Sequence, residues 1–595
     1  MQKFFFISFL SLLYSTYCVG QYVVKSENIL NPDLNIDYVT KNLDFWIKNA
    51  YDPTYGGFFS KVDRDGTILN QNQKSLISQT RHGYGFTRAF MLTGDEMYLD
   101  YAKSALDFLY NHGWDTTNDG WYCFAKRDGS VDYNRIWNPN TYKWGFQQHY
   151  ALVGIIANYE ATHDANAKSW MDKGLASLNN HMWDARSGYE GYYETTNLDW
   201  SNKTGKGFTS TVDAITTNAE LIYLITQNSF YKNRLMLLSD NIVNRFVPTM
   251  DDARVKVLYP ETYNTNWVPD YSSTSSSIGH FLKTAWCLGR AYLCDTTKSI
   301  YKNAAIKILN ESWNYQDGVN SIWDHVNGGP FNGLDFSTGA FTNGGDNKDY
   351  WTLEQGFTGP MINYYITKNP IYLQMADESL DFFMKHQVDS IYGEIFSELD
   401  PAGTTIRSGL KGDDYKACYH STELGYYAYL YSNLYYLHQP ASLYYKFVAT
   451  TTNQDIKLTP IPMEEGLLRI KSVTLDGVDF TTFNPVTRTL NIAANQGGKF
   501  KVTYESLVSP TAVNSPETNY ISVSPNPTKG SVKVAGIENI NSISIVDFTG
   551  KILLERKIQN QSSLNLNIDQ FNSGVYFVIL HQNSGEMILK KIIKQ

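Results

Sequence analysis

The chain has 595 residues, of which 42% are hydrophobic, 15% aromatic (44 Tyr, 30 Phe, 13 Trp) and 18% charged, with a formal net charge of −9. Such a composition excludes a disordered chain and a coiled coil, and it supplies ample apolar surface for a large core. An acidic balance without long Lys/Arg runs also excludes the electrostatic footprint of a nucleic-acid binder.

In chain order, residues 1–20 place Lys3 ahead of an apolar run from Phe4 to Leu13 and finish in small or polar residues, which predicts a secretory signal peptide. No later segment reaches the roughly 20 apolar residues that span a bilayer, so no transmembrane segment is expected. Residues 21–440 alternate helical patterns, such as YLDYAKSALDFLYNH (98–112) and HYALVGIIANYEAT (149–162), with short loops rich in Gly and aromatics. Those loops share a theme. DPTYGGFFSKVDRDG (52–66), DTTNDGWYCFAKRDG (115–129), DARSGYEGYYET (184–195) and DSIYGEIFSELDPAG (389–403) each open on Asp and continue through Gly and aromatic residues. Repetition of this kind predicts a mainly α architecture, an (α/α) barrel: a toroid of helical hairpins, each burying its apolar face against its neighbours, with the loops gathered at one mouth. Beyond the signal peptide the cysteines are Cys123, Cys287, Cys294 and Cys418. Cys287 and Cys294 lie about 10 Å apart along a helix and cannot bridge each other. No Cys/His cluster has zinc-ligand spacing, so no metal is expected.

From residue 441 the period changes to two. LLRIKSVTLDGVDF (467–480), TRTLNIAA (487–494) and GKFKVTYES (498–506) predict a small β-domain over 441–508. The polar, proline-containing stretch 509–519 reads as a linker. Residues 520–595 form a second small β-domain.

Two resemblances emerge from these segments. The last unit carries ISVSPNPTKGSVKV (521–534), SISIVDFTGKILLE (542–555), FNSGVYFVIL (571–580) and the basic end KKIIKQ (590–595). In order and content these resemble the C-terminal sorting domain of type IX secretion cargo, which implies passage across an outer membrane by that machinery to the cell surface or medium. Residues 30–438 resemble the N-acylglucosamine 2-epimerase and cellobiose 2-epimerase superfamily, an (α/α) barrel with its active site in a central funnel. SQTRHGYGFTRAFMLTGD (78–95), GFQQHYALVGIIANY (145–159), IGHFLKTAWCLGRA (278–291) and CYHSTELGYYAYL (418–430) carry the likeness. The resemblance implies that His280 and His420 are the two imidazoles that face the sugar and move a proton next to a carbonyl. It also exposes departures. Lys283 stands where the family has Glu, YWTLEQG (350–356) replaces WWxQAE so that Glu354 or Gln355 takes the carboxylate position, and TVDAITTNAEL (211–221) lacks a further family histidine.

Abstraction of a proton next to a carbonyl needs a positioned base and a donor or cation for the developing enolate. His280 and His420 each follow a helix start and supply the bases. Arg81, with Gln79 beside it, is the candidate anchor for a sugar carboxylate, because guanidinium matches carboxylate bidentately. His82 would face about 100° away from Arg81 on a regular helix and ranks below it. His149 is a candidate for the funnel wall. Tyr419 and Tyr271 are candidate proton carriers, Trp351 a stacking platform, and Glu354 and Gln355 polar partners of the sugar. No GxSxG elbow, HExxH pair, P-loop or dinucleotide fingerprint is placed to compete.

Three functions fit, with a glycoside hydrolase using two carboxylates among Asp213, Glu261, Glu354 and Asp414 as a further alternative. A secreted lyase would remove the carbon-5 proton of a uronate and expel the carbon-4 substituent, using Arg81 in place of the absent Glu and acting on an extracellular acidic polysaccharide or oligosaccharide. An epimerase or isomerase would follow the superfamily directly. A non-catalytic glycan-binding protein would leave the paired histidines without a purpose. The export signals favour the lyase, with no cofactor required.

Overall fold

The computed structural model describes residues 22–133, 139–507, 522–537, 540–547, 551–558, 561–582 and 587–595. The predicted signal peptide and linker lie outside them. The chain divides into one unit ending at Val508 and a second starting at Ser509.

Twelve helices of the first unit build two concentric rings. The outer helices are α1 (Leu34–Asn49), α3 (Met97–His112), α5 (Ala165–Ser177), α7 (Ser229–Asn241), α9 (Ser299–Asn314) and α11 (Pro370–Phe382). The inner ones are α2 (Leu76–Thr93), α4 (Gly145–Thr162), α6 (Phe208–Ala214, carried on through Thr226), α8 (Ile278–Cys294), α10 (Tyr350–Thr367) and α12 (Tyr419–Tyr431). Each inner helix packs on the next and α12 closes on α2, so the ring is complete. The inner helices are buried on nearly every face, as in α2, where every residue from Leu76 to Leu92 is buried. That is why the inner helices carry no solvent-facing polar stripe, whereas the outer helices keep one polar face. Close approach is enforced by small residues: a Cβ on Gly154 of α4 would lie 2.2 Å from the Thr80 carbonyl oxygen of α2.

The repeated aspartates have a common physical role. Asp52, Asp115, Asp184, Asp324 and Asp389 each accept a backbone N–H two residues on, closing a tight turn. Each also pairs with a fully buried lysine: Lys74 (2.9 Å), Lys143 (2.9 Å), Lys206 (2.7 Å), Lys348 (3.2 Å) and Lys411 (3.0 Å) respectively. Four of these lysines sit two residues before an inner helix. Ahead of α8 the corresponding position is Ser276, and its hydroxyl donates to Glu261 (2.9 Å) instead. The hairpin that precedes His280 is therefore built differently from the rest.

Residues 441–507 form two antiparallel sheets, one ordered Ala441–Phe447, Gly498–Ser506, Leu468–Leu475, Val478–Asp479 and the other Gln454–Lys457, Thr489–Ile492, Phe483–Asn484. Alternate residues such as Leu443, Tyr445 and Phe447 point inward and join the core of the barrel. The second unit has its own sheets and its own apolar core around Val532, Ile543, Val578 and Ile592. The architecture is thus an (α/α) barrel followed by two small β-domains.

Candidate active site

The inner-helix N-termini bring two imidazoles to one chamber. His280, third residue of α8, stacks on Phe208 with ring centroids 3.8 Å apart and lies 5.1 Å from the Trp351 ring. His420, second residue of α12, lies 6.2 Å from the same indole. Both rings therefore face one side chain of α10.

Each imidazole is anchored through Nδ1 to a carboxyl group. His280 Nδ1 is 2.7 Å from Glu261 Oε2, and His420 Nδ1 is 2.6 Å from Glu354 Oε2. The two carboxyls differ. Burial pushes Glu261 up, but His280, the Ser277 N–H (2.7 Å) and the Ser276 hydroxyl (2.9 Å) outweigh it and hold the group below the usual carboxylate range. Glu354 is pushed well above that range by burial and then by the neighbouring Glu423. Burial, then Arg81 and Lys283, push His420 well below the ordinary imidazole value, so it is neutral at neutral pH.

Beside this pair stands a cluster from three helices. Lys283 Nζ of α8 donates to Asp213 of α6 (2.7 Å) and to the Tyr150 hydroxyl of α4 (3.1 Å). Burial disfavours the ammonium, yet Asp213 and Tyr150 outweigh that cost and raise its pKa. Arg81 of α2 stacks over the rings of Tyr150 (4.5 Å) and Tyr419 (5.4 Å) and donates to the Tyr415 carbonyl, while its Nε is left without a partner. Next to it a cavity of about 350 Å³ is walled by Trp144, Phe146, Tyr415, Glu194, Thr209 and Gln147, among others. None of its described lining residues is a cation. Both amide atoms of the fully buried Gln147 lack a partner.

Glu354, His420 and Glu423 are, among the described residues, the one group of His, Cys, Asp or Glu side chains close enough to share an ion. His420 Nδ1 and Glu354 already bond each other, and Glu423 Oε1 accepts the hydroxyls of Tyr84 (3.1 Å) and Tyr419 (3.0 Å). The cluster is closed on itself as a hydrogen-bond network.

Known proteins fit this geometry. The description N-acylglucosamine 2-epimerase (GlcNAc 2-epimerase) matches residues 57–423, most of the barrel. The chain belongs to the N-acylglucosamine 2-epimerase family. Within and around that family, a cellobiose 2-epimerase of Bacteroides fragilis is 23% identical over 411 residues, 66% of this chain and 97% of the relative. A D-mannose isomerase of Marinomonas mediterranea is 21% identical, over 61% of this chain and 88% of the relative. Among solved structures, a D-mannose isomerase superposes with a TM-score of 0.59 at 19% identity, covering 68% of this chain and 99% of that one. The cellobiose 2-epimerase from Spirochaeta thermophila gives 0.56 at 20% identity, covering 68% and 98%. Residues 522–595 match a secretion system C-terminal sorting domain, which directs the chain to the cell surface or extracellular space. Among the described residues no helix is long and apolar enough to cross a membrane.

Against this site the sequence expectations divide. His280, His420, Trp351, Glu354, Arg81, Tyr419 and, beside Glu354, Gln355 (2.9 Å) come together. Tyr419 is not placed as a proton carrier, since its buried hydroxyl is turned to Glu423. Gln79 is not a substrate ligand: its amide clamps both the N–H and the carbonyl of Phe58 at 2.8 Å. His82 is a core residue between Trp46 and Phe58, pushed down to about 3 by burial. His149, likewise pushed down to about 3 by burial, is packed on Tyr192 and held by Asn218. Tyr271 binds Asp252 and stacks under Arg254 at 3.6 Å, in a loop cluster separate from the imidazoles' partners. The missed members are Tyr150, Glu423 and Gln147, along with the roles of Glu261, Asp213 and Lys283. Lys283, Asp213 and Tyr150 have no local signal, because they meet from three different helices.

Proposed function

We propose that this protein is an exported sugar epimerase or aldose–ketose isomerase, moving a proton at the carbon next to the carbonyl of a reducing sugar. The observation that carries the reading is the pair of carboxyl-anchored imidazoles facing Trp351 from two helices. Anchoring Nδ1 leaves Nε2 of each ring for the sugar, and two such nitrogens serve the removal and return of a proton through an enediolate. Trp351 offers an apolar face for the sugar ring, and Lys283 with Tyr150 supplies hydrogen-bond donors for developing negative charge.

Family membership and the similarity to cellobiose 2-epimerases and D-mannose isomerases support an epimerase or isomerase over the uronate lyase. The lyase reading required Arg81 to grip a sugar carboxylate, but Arg81 is engaged by the Tyr415 carbonyl and two tyrosine rings. The adjoining cavity sets a half-buried Glu194 beside Gln147 and Thr209, a lining that suits an uncharged, hydroxyl-rich ligand and disfavours an anion.

Incubation with glucose, mannose and cellobiose in deuterated water tests the proposal. Proton NMR is expected to show deuterium at carbon 2 and a new epimer or ketose. Absence of exchange on every reducing sugar, with ultraviolet absorbance of an unsaturated product from acidic glycans, would reverse it in favour of the lyase.

A further inference from the structure

The two imidazoles are held by carboxyl groups in opposite surroundings. Glu261 receives three donors, from His280, the Ser277 amide and the Ser276 hydroxyl, and has no second carboxyl bonded to it. Glu354 lies against a second buried carboxyl, Glu423, with the ligating atoms of Glu354, His420 and Glu423 all within 4.8 Å of one another. Two carboxyls so placed in a dry interior hold one negative charge between them. Two phenol hydroxyls, from Tyr84 and Tyr419, donate to Glu423, against the one Gln355 amide that donates to Glu354, so the charge is better solvated on Glu423. Lys283 draws charge toward Glu354, but burial and Glu423 outweigh it, and Lys283 is itself bonded to Asp213.

We propose that Glu423 is a positioning residue that keeps Glu354 protonated, so that His420 presents an N–H and His280 a lone pair to the substrate. This rests on the enolising function proposed above and deepens it by assigning the roles of the two rings. Ionised Glu261 accepts the Nδ1 proton of His280, whose bare Nε2 takes the proton from the sugar carbon. Protonated Glu354 donates to Nδ1 of His420, whose Nε2 carries the proton delivered to the enediolate. As that proton leaves, the Glu354 proton moves onto Nδ1, giving a neutral imidazole and a transient second negative charge on the carboxyl pair, which draws a proton back. Water then returns one proton from His280 to the Glu354–His420 pair, and the site is reset. The elevated pKa of Glu354 and the depressed one of His420 agree with this assignment.

The test reads tautomers directly in the full chain labelled with nitrogen-15 histidine, with resonances assigned through His280→Gln and His420→Gln. Long-range proton–nitrogen spectra are expected to show His420 protonated at Nε2 and His280 at Nδ1. Glu423→Gln is expected to move His420 to the Nδ1–H form and to lower kcat for carbon-2 exchange about tenfold or more. The assigned wild-type spectrum decides without Glu423→Gln: a His420 protonated at Nδ1 overturns the proposal. So does an unchanged His420 tautomer in folded Glu423→Gln. Failure of the enolising function is seen separately, as wild-type protein that exchanges no sugar proton whatever its tautomers.

Discussion

Lys283→Met is the most informative single change. Lys283 and Asp213 are nearly fully buried and 2.7 Å apart, which at an effective dielectric of ~20 corresponds to roughly 6 kcal/mol of attraction. Much of that offsets desolvation, so the pair contributes little relative to an apolar pair of the same shape, but breaking it strands a carboxylate among helices α4, α6 and α8. The expected cost is about 3–5 kcal/mol. Combining Lys283→Met with Asp213→Leu removes the stranded charge and leaves only the Tyr150 hydroxyl short of partners, for a total of about 1–3 kcal/mol. Urea unfolding of the full chain, followed by tryptophan fluorescence, measures all three variants. The reasoning is refuted if the single lysine variant loses less than 1 kcal/mol, or if the double variant is as unstable as the two single changes added together.

Three further outcomes are expected. Asp52, Asp184 and Asp389 have carboxyls that burial pushes up but whose Arg and Lys partners, with backbone N–H groups, pull below the usual value, Asp389 to about 2. Folded pKa values below the unfolded ~3.9 mean stabilisation from these three groups that is complete above about pH 5 and withdrawn as pH falls through the folded values, a slope read below pH 5 from the thermal midpoints of wild type against variant. Asp389→Asn should flatten that slope. Glu261→Gln removes the acceptor that fixes the His280 tautomer and is expected to lower kcat about 10–100-fold with little change in KM, measured by carbon-2 deuterium exchange. Gln79→Leu leaves the Phe58 N–H and carbonyl without their clamp and should cost about 1–3 kcal/mol in unfolding experiments, with kcat per folded molecule within about twofold of wild type.

The toroid was legible because its causes are local. Helical periodicity and an Asp-Gly-aromatic loop recur along the chain, and the structure gives the recurrence a reason, since each Asp closes its own turn and holds a buried Lys about 20 to 30 residues further on. The histidines were legible through motif likeness. Their partners were not: Glu261 lies 19 residues from His280 and Glu354 lies 66 from His420, separations at which no periodicity links two residues. Gln79 misled in the same way. A polar residue on an apolar helix suggests a ligand, yet the interior of this barrel is full of polar groups that serve the backbone or one another. Gln148 clamps Trp121 just as Gln79 clamps Phe58.

Five hairpins are pinned by a buried lysine paired with the aspartate that closes the turn. The sixth, which leads into α8, is fastened through Glu261, the carboxylate that also holds the imidazole. A change at Glu261 would therefore loosen the rim and the imidazole together, whereas a change at one of the five lysines would loosen its own loop alone.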